Sequence, residues 1–389
     1  MDYLHQSLSF KLRKAFRYVR LYGPGRTAVK ARSHYHMERR YDPLPKQEVG
    51  RRSSRHVGIL GCGKFAYAQI AYYLSATHGN VLRAAMDVDI HRAASLFKRY
   101  RLDYYTAEAS RILEDPQIDL VYIASNHASH AEYAIEALER GKHVHIEKPH
   151  VVSEDQLARL CRAMQTSTGK VALGFNRPLS RIGLEVKRRL DAQRGPSMLN
   201  WFVAGHEIPP DHWYFRDEEG GRILGNLCHW TDFVLQLVPP DGRFPVTINP
   251  TRAEKADSDI AVTYVFGDGS IAAITFSAKG HTFEGVKERF AAHRGNALIT
   301  MDDFRTLRVE VVEQRHTSRR PFRDHGHKAA ILHSYALARP GTTPGADVAY
   351  VWETGQLFLK TKDALERRTP LTIEAFSLSD LAPPVPAAR

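Results

Sequence analysis

Two short segments carry side chains suited to moving a proton and steadying charge on an alcohol oxygen. The first is Glu147-Lys148-Pro149. A lysine ammonium donates hydrogen bonds to a substrate hydroxyl and stabilises negative charge developing on that oxygen. Pro149 removes a backbone donor and fixes φ immediately after it. The second is Gly220 to Asp232 (GGRILGNLCHWTD), where His229 and Asp232 stand three residues apart and would share a helix face. Imidazole is well suited to exchange a proton near neutral pH, and a carboxylate such as Asp232 could orient it. Asn226 lies in the same segment, and Arg177, Trp213, Arg216 and Arg222 are further candidate substrate contacts. Arginine there would suit a phosphate or carboxylate. Taken singly, each has an ordinary structural explanation. A Lys-Pro can simply end a strand, and His229 sits among Trp230, Phe233 and Leu235, which would pack in a core. Cys228 reads as packing, with no sign of a lowered thiol pKa.

A third segment changes those odds. Val57 to Leu60 suits a short buried strand, and Gly61-Cys62-Gly63-Lys64-Phe65-Ala66 follows as G-x-G-x-x-A before a helix-prone run to Thr77. Gly61 permits the tight turn, Gly63 lets the backbone approach phosphates, and the helix N-terminus offers N–H groups. Asp87 ends the next strand-like run, 21 residues past Ala66, near the place of the acid that holds an adenosine ribose. A carboxylate there accepts from the 2′-hydroxyl and repels a 2′-phosphate, which favours NAD; Arg83 and Arg92 keep NADP in contention. The other reading of Asp87 is a helix cap.

These residues need a frame. Apolar runs alternate with helical patterns from 56 to 176: Leu120 to Ala124, His143 to Ile146 and Val171 to Phe175 as strands, Ala128–Arg140 and Glu154–Thr166 as helices. Alternation of this kind implies a doubly wound parallel sheet. Ligands of such sheets bind beyond the strands' carboxyl ends, where Ser125, Asn126, His130, Glu147 and Lys148 fall. After about residue 195 short strands dominate: Met198–Ala204, Ile260–Phe266, Ile271–Ser277, Arg289–His293, Ala297–Met301 and Leu307–Val312, with Gly267-Asp268-Gly269 as a hairpin. Helical stretches His327–Ala338 and Asp347–Arg367 close the chain. The expected domains are a basic arm and linker (1–55), a dinucleotide-binding domain (56–176), a substrate and oligomerisation domain with a mostly antiparallel sheet (177–377) and a tail (378–389).

The 389 residues carry a formal net charge of +12. Residues 1–55 hold 14 Lys/Arg against 4 Asp/Glu, so the body is nearly neutral and is not expected to bind nucleic acid specifically. Residues 4–20 place Leu4, Leu8, Leu12, Ala15, Phe16 and Val19 on one helical face, with Lys11, Arg13, Lys14, Arg17 and Arg20 largely elsewhere. Such a helix suits a membrane surface, a polyanion or a partner protein, or docks on its own body. Residues 21–55, with Gly23-Pro24-Gly25, Pro43 and Pro45, read as irregular linker. Three scattered cysteines argue for a reducing, cytoplasmic setting, no spacing matches a metal site, and no signal-peptide core or membrane span is expected.

Together, the glycine loop, Asp87, S-N-x-x-S-H (125–130), G-K-H-V-x-I-E-K-P (141–149) and G-G-R-x-x-G-N-x-C-H-x-x-D (220–232) resemble the Gfo/Idh/MocA oxidoreductases over roughly 54–377. The resemblance implies hydride transfer between NAD(P) and a secondary alcohol of a sugar, cyclitol or nucleotide sugar. It implies a Rossmann domain, then a large sheet whose outer face often mediates dimers or tetramers. Lys148 matches the family's lysine, which contacts the reacting hydroxyl and is often followed by a cis proline. His229 matches its proposed base. Arg177, Asn226 and Asp232 are expected at the substrate. Many members carry Asp in D-x-G-x-H; here Gly225 and Leu227 stand instead. G-F-N-R (174–177) and D-D-F-R (302–305) resemble a subgroup associated with polysaccharide or nucleotide-sugar metabolism. The incomplete triad leaves a second reading: a non-catalytic NAD-binding regulatory or scaffold protein whose basic arm holds a polyanion or partner.

Overall fold

The computed structural model describes residues 4–47, 54–252, 259–278, 285–339, 341 and 343–381. Two helices come first, α1 (Leu8–Tyr22) and α2 (Pro24–Glu38). Ser7 caps α1, its hydroxyl accepting from the Phe10 N–H, so the helix starts four residues later than the apolar pattern implies. The expectation of irregular chain after residue 20 is corrected. Gly23, at φ +82°, turns the chain, and Pro24 opens α2, because a proline costs nothing where no intrahelical N–H bond is due.

Mostly apolar runs become a central parallel sheet. Its strands are β1 (Val57–Leu60), β2 (Leu82–Met86), β3 (Tyr104–Thr106), β4 (Leu120–Ile123), β5 (His143–Ile146) and β6 (Val171–Leu173), in the order β3-β2-β1-β4-β5-β6. All pairs are parallel. Every residue of β1, β4 and β6 is buried, as a sheet covered on both faces requires. The crossover helices are α3 (Ala71–His78), α4 (Ile90–Tyr100), α5 (Ser110–Leu113), α6 (His127–Glu139) and α7 (Glu154–Thr166). A π-turn, Ala66–Ile70, leads into α3. Arg26 of α2 donates to the Ala68 carbonyl within it (2.6 Å), so part of the arm's charge serves the body.

After α8 (Arg181–Asp191) the pattern switches to alternation. Nine strands form the second sheet: β7 (Ser197–Ala204), β8 (Val246–Arg252), β9 (Ile260–Val265), β10 (Ile271–Ser277), β11 (Lys287–Arg294), β12 (Ala297–Asp302), β13 (Thr306–Val311), β14 (Gln314–Arg319) and β15 (Leu371–Ile373). The order is β14-β13-β12-β11-β7-β10-β9-β8-β15, antiparallel but for β7 and β10. Leu199, Trp201 and Val203 of β7 point inward, and Met198, Asn200 and Phe202 outward. Helices α9 (Cys228–Leu237) and α11 (Val348–Arg367) cover the inner face. Helix α10 (His327–Tyr335) instead joins the first domain. There Ile331 O accepts from the buried Tyr122 hydroxyl (2.7 Å), and Ser334 Oγ meets His145 Nδ1 (2.7 Å). Among the described residues no helix is long and apolar enough to cross a membrane.

Candidate active site

The cofactor cradle is built where β1 ends. Gly61 has φ +88°, and a Cβ there would lie 2.5 Å from the Ala124 carbonyl oxygen, so glycine is required. A Cβ on Gly63 would meet nothing within 4 Å, leaving the open space a pyrophosphate needs beside the first helical N–H groups. Asp87, buried at the end of β2, accepts from Cys62 N–H (2.7 Å) and Asp89 N–H (2.9 Å). A carboxylate offers about four lone-pair positions, so two remain for ribose hydroxyls. The cap of α4 is Asp89, not Asp87. Arg83 is taken by Asp103 and Asp115 (3.0 and 2.7 Å), and Arg92 pairs with Asp89 (3.3 Å), which disarms both as partners of a 2′-phosphate. Cys62 faces inward. Its N–H goes to Asp87, its thiol to Met86 O, and its carbonyl to His36 Nε2 of the arm (2.7 Å). Lys64 is exposed, Ala66 is buried, and the Phe65 ring lies 5.8 Å from that of His327.

Lys148 and His229, the expected proton-handling residues, lie on β5's exit and on α9. The Lys148–Pro149 peptide is cis, and Lys148 Nζ donates to the Gly225 carbonyl (2.5 Å). Burial pushes the Lys148 ammonium down, but Tyr214, Cys228 and Glu147 more than offset it, holding the amine above its ordinary range. Lys148 is therefore a cation and a donor. His229 stands one helical turn beyond Gly225, with Nδ1 buried and unpartnered. Burial, then the charges of Arg177 and Lys148, hold its imidazole well below the usual histidine range. It is neutral at physiological pH and able to accept a proton. Asn226 Oδ1 beside it is also buried without a partner. Polar atoms left unpaired in one place are what a hydroxylated ligand would satisfy.

Other expected site residues are engaged within the chain. His130 braces the loop, its Nδ1 on Pro149 O (2.8 Å) and Nε2 near Ser125 O (3.2 Å). Asp232 is corrected from substrate contact: it is fully buried and turned away from His229 toward α11. There it accepts from Tyr350 (2.6 Å), Thr354 (3.1 Å) and Gln236 (2.8 Å), and burial drives its carboxyl up to about 7. Arg177 is buried rather than free. Its Nε donates to Glu288 (2.5 Å) and its guanidinium lies over Trp230 (4.7 Å), while its charge still acts on Lys148 and His229. Ser125 Oγ meets Ser129 Oγ (2.7 Å), and Glu147 bonds His145 (3.0 Å). Asn126 donates to Glu219 Oε1 (2.7 Å).

Residues 55–175 match the sequence model of an oxidoreductase family with an NAD-binding Rossmann fold, GFO_IDH_MocA. That match spans the parallel-sheet region alone. The chain is 25% identical over 234 residues to scyllo-inositol 2-dehydrogenase (NAD(+)) of Bacillus subtilis, covering 57% of this chain and 68% of that protein. An uncharacterized oxidoreductase of Bacillus subtilis, YrbE, is 26% identical over 261 residues, 65% and 75% of the two chains. In structure it is similar to levoglucosan dehydrogenase in complex with NADH and levoglucosan (TM-score 0.71, 16% identity, 82% of this chain and 99% of that one). The same holds for a putative myo-inositol dehydrogenase of Sinorhizobium meliloti (TM-score 0.67, 20% identity, 82% and 99%).

Gly225 stands where the D-x-G-x-H pattern has aspartate, and its surroundings leave little room for a side chain. A Cβ on Gly225 would stand 2.7 Å from both His127 Cε1 and Tyr214 Cε2. His127, His212, Trp213, Tyr214 and Glu219 form a cluster that sequence reasoning mostly missed. The His127 ring is 4.8 Å from Trp213 and 4.6 Å from Tyr214, and its Nδ1 bonds Glu219 O (2.9 Å). Glu219 also reaches the Ala128 N–H at the start of α6. The other omission is His325 and His327. Asn176 holds their loop through the His325 carbonyl (2.6 Å), and His325 Nε2 lies 3.1 Å from Glu288. Both histidines act on His229 through space. Their spacing around Gly326 was a visible signal; a Cβ there would strike the Asn176 carbonyl at 2.0 Å.

Proposed function

We propose that this oxidoreductase oxidises a secondary alcohol of a sugar or cyclitol, nucleotide sugars included, with Lys148 and His229 as its catalytic residues. The single observation that carries the reading is the pairing of a charged Lys148, fixed by the Gly225 carbonyl, with a neutral His229 bearing an unpartnered nitrogen. Lys148 donates to the substrate oxygen and favours its anionic character. His229 takes the hydroxyl proton, directly or through one water. Gly61, Gly63 and Asp87 hold NAD, which when bound supplies the hydride acceptor. Arg177 and Asn226 complete the substrate's surroundings. Inositol and levoglucosan dehydrogenases among the similar proteins support a polyhydroxylated substrate.

The outer face of the nine-stranded sheet joins this reading. Met198, Phe202, Ile271 and Leu298 are 39 to 61% exposed on it, which suits a homodimer or homotetramer. Three buried, free cysteines fit a cytoplasmic setting. The test is growth of the reduced-nicotinamide absorbance band when NAD and a panel of inositols, anhydrosugars and UDP- or GDP-sugars are added. Lys148→Ala should abolish the change for the active compound and keep NAD affinity. NAD binding with no response to any alcohol would favour the non-catalytic reading instead.

A further inference from the structure

Helix α1 presents an unusual outward face. Leu8, Leu12 and Phe16 recur every four residues and are 72%, 62% and 66% exposed. Arg13, Arg17 and Arg20 are also exposed and form the adjoining stripe. The helix is held from its other side and by its last turn. Tyr18 and Leu21 are buried, the Leu21 carbonyl accepts from Arg323 N–H (2.7 Å), and the Tyr22 hydroxyl accepts from Arg323 Nη1 (3.0 Å). Residues 4–37 contain eight Lys/Arg and no Asp/Glu. An exposed apolar row of this size is not explained by solubility.

The charge decides what covers it. A second copy of α1 would bring like charges face to face, which is costly. A polyanion such as a nucleic acid would satisfy the arginines and leave Leu8, Leu12 and Phe16 in water. We propose that α1 lies in the plane of an anionic lipid surface, seating these three side chains at the acyl boundary while Arg13, Arg17 and Arg20 meet lipid phosphates. The body then sits on the membrane through a helix anchored at Arg323. This goes beyond the dehydrogenase reading and does not depend on it.

The experiment is sedimentation of the full chain with vesicles of phosphatidylcholine alone or mixed with phosphatidylglycerol. Pelleting should require the anionic lipid and fade as salt rises from about 0.1 M to several times that. Leu12→Ser/Phe16→Ser should weaken partitioning at least tenfold. Arg13→Gln/Arg17→Gln should weaken it roughly thirtyfold. All these side chains are exposed, so the variants should keep wild-type melting and NAD affinity, which separates this outcome from failure of the cofactor reading. Three results would overturn the proposal: no pelleting with anionic vesicles, equal pelleting with neutral ones, or binding indifferent to Leu12→Ser/Phe16→Ser. A drop in oligomer size in that variant without vesicle binding in the parent would assign the face to self-association instead.

Discussion

Placing a side chain at position 225 tests how Lys148, the proposed catalytic lysine, is held. In Gly225→Ala the added methyl stands 2.7 Å from His127 and Tyr214. His127 cannot retreat freely, because Glu219 O holds its Nδ1 at 2.9 Å and Trp213 packs on its edge. Overpacking of this kind costs about 1–3 kcal/mol, and at ~2–4 °C per kcal/mol the melting temperature should fall by roughly 2–12 °C. The backbone shift that relieves the clash also moves the carbonyl that receives Lys148 at 2.5 Å. A displacement near 1 Å at such a group costs on the order of 100-fold in turnover. NAD affinity should hold, because the glycine loop lies elsewhere. Gly225→Asp, which supplies the acid many relatives carry, should be worse still. Calorimetry and turnover on Gly225→Ala, His127→Ala and the double variant should give a coupling of about 0.5–3 kcal/mol. A Gly225→Asp protein with wild-type melting and faster turnover would refute the reasoning, since the rings would then have yielded and the site would have lacked only a carboxylate.

Three further outcomes are expected. Because burial and neighbouring cations hold His229 below the usual histidine range, it stays neutral as pH falls through 6.5, so kcat/KM should stay level there and decline only at lower pH. His229→Asn should lose about 10²–10⁴-fold and the acid limb with it. Asp232 titrates at about 7 in the folded chain against an ordinary 3.8. The native state therefore binds the extra proton between these values, and stability falls as pH rises from about 4 to 7, by up to roughly 4 kcal/mol. Denaturant titrations across that range should show the slope in the parent and not in Asp232→Asn. Glu288, held down near 2 by Arg177 and His325 despite its burial, balances a buried guanidinium. Glu288→Gln should destabilise by about 3–5 kcal/mol in urea melts.

The cofactor half was legible because its signals are local. A buried strand, a glycine at positive φ and an acid one strand later each follow from nearby residues, and β1, Gly61 and Asp87 appear where those rules put them. The edge strand β14 was not, since QRHTSR is exposed and carries no alternation. Helix α2 was hidden by Gly23-Pro24-Gly25, a turn signal that proved to be a helix start. At the site, spacing set Asp232 on a face with His229 but could not show its partners. A three-residue interval says which face two side chains share, not which distant element meets them, and Tyr350 and Thr354 lie over a hundred residues on. The same limit concealed Glu288 behind Arg177 and Glu219 behind Asn126.

The placement of α10 also sets a timetable for synthesis. Strand β6, which completes the parallel sheet, ends at Leu173, yet the segment that receives the Tyr122 hydroxyl and the His145 imidazole starts at His327. At about 5–20 residues per second, ribosomal elongation delivers that segment roughly 8–30 s later. For that interval the nascent nucleotide-binding half has one patch of its helical layer missing and two buried polar groups unsatisfied. Its final closure waits for α10, so the nascent half cannot reach its native packing until that helix has been made.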